Sequence, residues 1–319
     1  MSRKPTWRRR EAALGSSMGV IPAQTGPVAI IGATGFIGRT LAEKLSADGW
    51  SVTGVSRSAH CKVEGVERWQ RLDRLDLSGY CAVVNLAGEP IDRRWTTERK
   101  RRFHESRVGV TRRLVEHLDE LGHADRPELL INGSAVGFYG DRGDEILEDD
   151  ADKGEGYLAD LCEEWEAAAL GAEELGMRVA LLRTGVVLGK HGTAFEKLRR
   201  VFLTGLGGRL GAGRQWMPWI HLHDLVGAIV HILETPELYG PVNGCAPHAE
   251  RNADFTRKLA AALHRPALLS VPAIALKLAL GGFGSALLAS AHAVPSALER
   301  TGYVFRFPRL EDALGDLLK

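Results

Sequence analysis

Three glycines, Gly32, Gly35 and Gly38, stand at G-x-x-G-x-x-G spacing where an apolar run (28–32) gives way to a helix-like segment (36–47). At a tight strand-to-helix turn, glycine allows close backbone approach, and the free N–H groups opening the helix attract a pyrophosphate. Thr34, Phe36 and Ile37 complete this turn. A second strand pattern (51–55) ends in Ser56-Arg57-Ser58, with no acidic residue between Trp50 and His60. An acidic side chain there would take the ribose 2′-hydroxyl of a dinucleotide, whereas Ser56 and Arg57 favour a 2′-phosphate. A charge-assisted contact of that kind is worth roughly 1.5–3 kcal/mol, or about one to two decades of preference for NADP(H) over NAD(H). Arg39, just past the third glycine, is a second candidate phosphate contact.

Four further side chains have types suited to proton transfer. Ser134 follows an apolar strand pattern, where a hydroxyl could polarise a carbonyl or equally cap a turn. Tyr139 and Tyr157 are the phenols of the same neighbourhood, and His221 precedes His223 and Asp224 at a spacing that fits either acid–base work or a structural role. Asp141, Asp144 and Glu145 read as a solvated loop, and Trp95, Trp216 and Trp219 as a substrate wall or a loop core. Lys100 and Arg107, seven residues apart on one helix pattern, fall on one face, where they would bind an anionic substrate or the cofactor phosphates, or simply be solvated.

The elements that must position these residues alternate along the chain. Strand patterns at 28–32, 51–55, 81–86, 129–133 and 178–183 are separated by helical ones at 36–47, 96–121 and 159–175, with a helix again at 222–234 and a last strand at 242–245. Such alternation predicts an α/β, Rossmann-like doubly wound parallel sheet covered on both faces, with a smaller, mainly helical C-terminal substrate-side region. The expected division is a disordered tail over 1–26, a dinucleotide-binding domain over 27–189 plus 221–245, and a substrate-side region over 190–220 plus 246–319. The glycine-rich stretch 189–215 reads as a surface loop or a mobile segment over a cleft, and 271–293 as packed helix.

Bulk properties narrow the class. The 319 residues carry a formal net charge of +1, which gives no support for a nucleic-acid partner. No run approaches about 18 apolar residues, which argues against a membrane partner. The 4 cysteines are scattered, so neither a disulfide scaffold nor a metal site is expected, and a reducing, cytoplasmic location follows. The arginine-rich first 26 residues lack the apolar core of a secretory signal.

Four later stretches extend the glycine motif: Asn85-Leu86-Ala87-Gly88-Glu89-Pro90-Ile91, Ser134-Ala135-Val136-Gly137-Phe138-Tyr139-Gly140-Asp141, Leu182-Arg183-Thr184-Gly185-Val186-Val187-Leu188-Gly189, and Gln215-Trp216-Met217-Pro218-Trp219-Ile220-His221. Together they resemble the extended short-chain dehydrogenase/reductases of the NAD-dependent epimerase/dehydratase group, and more closely an atypical "epimerase family" branch with a helical C-terminal extension. The resemblance implies that Leu86, Ala87 and Gly88 line the cofactor and that Thr184, Gly185, Val186 and Val187 pass the nicotinamide. It also puts Arg107 where the superfamily has an asparagine, and Ala135 where it has a serine, one residue after Ser134. The superfamily's Tyr-x-x-x-Lys is absent, since Tyr157 is followed four residues later by Leu161, and shifting by one gives Leu158 and Cys162. The implied function is NADP(H)-dependent hydride transfer on a small-molecule substrate by a monomer or homodimer. The alternative is a cofactor-binding sensor or protein-interaction module, since relatives of the resembled branch are linked in name to cell-division inhibition.

Overall fold

The computed structural model describes residues 26–57 and 61–319. The tail expected over 1–26 therefore lies, apart from Gly26, outside the described residues. Seven strands form the central sheet: β1 (Pro27–Ile31), β2 (Ser51–Ser56), β3 (Arg68–Arg71), β4 (Ala82–Asn85), β5 (Leu129–Ala135), β6 (Arg178–Thr184) and β7 (Gly240–Gly244). Their order is β7-β6-β5-β4-β1-β2-β3, and every neighbouring pair is parallel. The doubly wound sheet expected from the alternation is thus present. β3 lies at one edge, and its partly exposed Arg-Trp-Gln-Arg offers a single apolar residue, Trp69, which packs against the core.

Helices cover both faces, because successive strand residues point to opposite sides. From β1, Val28 and Ile30 pack with Leu41, Leu45, Leu225 and Ile229 of α1 (Phe36–Ala47) and the later helix Leu222–Glu234. Ala29 and Ile31 face Leu114, Leu118, Ala169 and Ala172 on the other side. The helix expected over 96–121 is interrupted: α2 (Thr97–His104) passes through a π-helical turn, Glu105–Gly109, into α3 (Val110–Asp119). Lys100 is exposed, whereas Arg107 is drawn partly inward.

Beyond α4 (Tyr157–Glu174), the stretch 189–215 is not simply loop. It holds α5 (Thr193–Leu203) and a short strand, Gly208–Leu210, paired in parallel with Leu269–Val271. Phe195 and Phe202 explain the helix, since both are buried among Phe255, Leu259 and Leu314 of the C-terminal region. Conversely, 271–293 is less packed than expected: Ala273–Leu280 and Gly282–Ala286 are short helices, and Ile274 and Leu278 remain 73% and 72% exposed. Two buried carboxylates fasten the segments after 293, Asp149 to the sheet strand β7 and Asp224 to the helix Leu222–Glu234. Asp149 accepts from the Asn243 and Ala297 amides (2.5 and 2.7 Å), and Asp224 from those of Arg306 and Phe307 (2.6 and 2.9 Å). No helix among the described residues is long and apolar enough to cross a membrane.

Candidate functional site

The strand order reverses beside β1, whose neighbours are β2 and β4, and doubly wound sheets open a ligand crevice at that point. The glycine turn lies there. Gly32 has φ of +87° and a Cβ on it would lie 3.0 Å from the Leu86 oxygen; a Cβ on Gly38 would overlap the Gly32 carbonyl. The Gly35 amide donates to the Gly32 oxygen at 2.8 Å. Helix α1 then begins with no side-chain cap and no acidic residue in its first turn, and Thr34 and Gly35 are exposed. Its positive end is open to an anion. Phe36 packs against the backbone positions of Gly189 and Gly192, bringing the segment before α5 to this turn. Arg39 is turned back, its Nε donating to the Thr34 carbonyl at 2.9 Å, so it braces the turn.

At the ends of β2 and β3 a cavity of about 250 Å³ is lined by Arg57, Arg71, Leu72, Asp73, Arg113 and His117. Arg71 makes a fork to Asp73 (2.8 and 2.7 Å), leaving the guanidinium of exposed Arg57 as a nearby donor. Ser56 contacts Cys61 at 3.3 Å. Across the crevice, the Asn85 side chain accepts from the Ala87 amide (3.2 Å) and so shapes the loop that contains Leu86, Ala87 and Gly88. Thr184, Gly185, Val186 and Val187 are half-buried at the end of β6, with the Gly185 amide bonded to the Gly244 oxygen.

The four proton-transfer candidates fall in three places. Ser134 is within β5, not beyond it; it is buried and donates to Glu166 Oε1 at 2.6 Å. Tyr139 is fully buried, donates to Asn243 Oδ1 at 2.7 Å and accepts from Arg183, and burial pushes its pKa up to about 12. Both belong to one buried assembly whose centre is the Arg183–Glu166 fork (2.8 Å on each side). His221 lies apart, ending the short strand Trp219–His221, capping the helix that follows and packing on Phe307. Burial lowers its pKa from 6.5 to about 4; among the described residues its Nε2 makes no hydrogen bond, although Asp316 Oδ2 lies 3.5 Å away. Tyr157 opens α4, is partly exposed, and donates to the Lys100 carbonyl at 3.3 Å while Lys100 Nζ sits 4.4 Å above its ring. Burial raises the Tyr157 pKa and the nearby Arg107 charge works against that rise.

Sequence reasoning passed over two buried polar groupings. Asn85 Nδ2 donates to Asn132 Oδ1 (2.7 Å) and Thr111 Oγ1 (2.9 Å), and Trp165 Nε1 also donates to Thr111 Oγ1 (3.0 Å), tying α3 and α4 to the sheet beneath the crevice. The second is the Arg183–Glu166 pair. Its signal was available: an arginine inside the otherwise apolar strand Arg178–Thr184 needs a buried partner, and Glu166 interrupts the inner stripe of α4. Arg71, Arg113 and His117 gave no such signal, because they converge only through the fold.

A parallel sheet of this order, with an uncapped glycine turn at its switch point and a basic cavity beside it, defines a Rossmann-like α/β protein of the dinucleotide-fold class. The family is equally clear. A model of the NAD dependent epimerase/dehydratase family matches residues 28–243, and a domain of unknown function, DUF1731, matches residues 271–317, so the chain belongs to the NAD dependent epimerase/dehydratase family. It is 36% identical over 306 residues to the chloroplastic epimerase family protein SDR39U1 homolog of Arabidopsis thaliana, covering 92% of this chain and 86% of that protein. Epimerase family protein Mb2239 of Mycobacterium bovis is 40% identical over 294 residues, covering 90% and 96%. The crystal structure of human epimerase family protein SDR39U1 (isoform 2) with NADPH superposes with a TM-score of 0.82 at 32% identity, covering 91% of this chain and 98% of that one.

Proposed function

We propose that the chain is an NADP(H)-dependent oxidoreductase or epimerase-like enzyme that acts on a small carbonyl or alcohol substrate. The observation that carries this reading is the cavity lined by Arg57, Arg71 and Arg113 at the ends of β2 and β3, beside an uncapped helix at the switch point. That set of donors suits a 2′-phosphoadenosine, and the solved human relative was crystallised with NADPH. When bound, the cofactor supplies or accepts a hydride at its nicotinamide. Gly32, Gly35 and Gly38 would seat the pyrophosphate, with Thr34, Phe36 and Ile37 around it. Ser56 and Arg57 would hold the 2′-phosphate, and Leu86, Ala87, Gly88 and Thr184–Val187 would line the remaining length. The protein's own part is to hold substrate and cofactor in reacting geometry and keep water out.

Of the four candidate proton carriers, we assign Tyr157. Ser134, Tyr139 and His221 are buried and engaged in packing or hydrogen bonds, whereas Tyr157 is partly exposed beside two cations. We further propose that 27–189 plus 221–245 hold the cofactor and that 190–220 plus 246–319 form the substrate side. The scattered thiols, none in a disulfide, fit a reducing compartment such as the cytoplasm.

A sensor that keeps the cofactor without turnover is favoured by one observation: the Tyr157 hydroxyl is spent on the Lys100 carbonyl. NADPH consumption against quinones, aldehydes and ketones decides between them. Turnover with any substrate supports the enzyme; micromolar NADPH binding without turnover supports the sensor. Arg57→Asp should cost NADPH roughly ten- to a hundredfold in affinity and raise relative NADH binding. An unchanged NADPH/NADH ratio in a fluorescence titration would remove the 2′-phosphate assignment.

A further inference from the structure

A guanidinium drawn inside a protein is ordinarily matched by a carboxylate. Arg107 is not. Among the described residues its donors reach only the Glu89 carbonyl (3.0 Å), the Phe103 carbonyl (3.5 Å) and Ser106 Oγ (3.3 Å), and no carboxylate lies within ion-pair distance. It stands in the π-helical turn Glu105–Gly109, a distortion that costs helix regularity and is frequent at functional sites.

The other face of this guanidinium looks toward the crevice. A Cβ on exposed Gly88 would lie 3.2 Å from its Cζ, the Trp165 ring is 5.4 Å away, and its charge acts on Tyr157 and Cys162 of α4. Glu89 and Phe103, whose carbonyls hold it, also line a cavity of about 190 Å³ with Arg93, Arg99 and Arg102 among its other walls. Arg102 is paired with Glu98 (3.1 Å) and Glu89 lies on the same wall, so among these cations it is Arg107, between the loop after β4 and the start of α4, whose donors end on neutral oxygens. An arginine is always protonated and offers a planar fork of donors, the geometry that matches a carboxylate or a phosphate.

We propose that Arg107 receives an oxyanion of the substrate, a carboxylate or a phosphate, between Gly88 and Tyr157. The substrate class is then an anionic carbonyl or alcohol compound, an assignment that rests on the cofactor reading above. On this view Arg107 brings to the site, from the helix opposite, the cation that α4 lacks.

Calorimetric titrations of the purified protein, alone and with saturating NADP⁺, test it using oxamate, inorganic phosphate and the neutral oxamide as probes. Expected for the wild type is binding of oxamate or phosphate at least about tenfold tighter than oxamide; whichever anion is preferred identifies the group. Arg107→Met should erase that preference and leave NADP⁺ affinity within about threefold, while Arg107→Lys, which keeps charge but not the fork, should retain part of it. The proposal is overturned if wild type does not distinguish the anions from oxamide, if Arg107→Met still does, or if Arg107→Met loses NADP⁺ binding instead. Failure of the wild type to take up NADP⁺ counts against the cofactor reading alone, because the titration without cofactor still reads the anion site.

Discussion

Glu166 is the residue on which most of the buried polar chemistry converges: it accepts from Ser134 and from both prongs of Arg183. Burial alone would lower the Arg183 pKa, and the hydrogen bonds and charge of Glu166 outweigh it. Removing one member of such a pair leaves an uncompensated charge, so Glu166→Ala should cost roughly 3–5 kcal/mol in urea unfolding. A loss below about 1 kcal/mol would mean that the pair is not buried as described. His221 makes the opposite kind of prediction. It stays neutral in the folded chain, because burial and the adjacent His223 charge lower its pKa from 6.5 to about 4 against the pull of Asp316. The unfolded chain takes up this proton below pH 6.5, the folded chain only near 4, so stability is fully present above 6.5 and falls as pH drops through that window. The total is about 3 kcal/mol. In thermal melts between pH 7 and pH 4, His221→Gln should show a shallower decline than wild type.

At the scale of elements, the glycine turn was legible because its requirement is local. A strand end, three glycines and an amphipathic helix sit within twenty residues, and α1 spans Phe36–Ala47 as its apolar spacing predicts. The π turn was not legible, since Ser106, Val108 and Gly109 weaken a helix without dictating a wider turn, which forms where Arg107 turns inward. Edge strand β3 escaped for a related reason: with one neighbour it needs only Trp69 on the core, too little for an alternation to show. The closeness of α1 to β1 gives a test of its own. Gly38→Ala would push a methyl group into the Gly32 carbonyl. Overpacking of that kind costs about 1–3 kcal/mol and should abolish NADPH binding, read by a melt and a fluorescence titration. Retained binding would show that the turn does not seat the pyrophosphate.

Across the whole molecule, what could not be read was how distant segments meet. Asp149 and Asp224 look like ordinary acidic residues in the sequence, yet each is buried with its oxygens on amides far along the chain. Burial raises the pKa of both, and the amide donors oppose that rise. Asp224→Ala would strand two backbone amides, at roughly 1–3 kcal/mol for each that stays buried. Hydrogen exchange at Arg306 and Phe307 should then accelerate well before the central sheet opens. Equal protection in the variant and wild type would show that these bonds do not hold the segment.

These two clasps also impose a timetable on biosynthesis. Asp149 and Asp224 are translated long before the amides of Ala297, Arg306 and Phe307 exist, and until then Asp149 lacks one of its two donors and Asp224 lacks both. The nascent polypeptide must therefore keep Asp224 hydrated until residue 307 has left the ribosome. A chain cut short before residue 297 would leave both clasps incomplete.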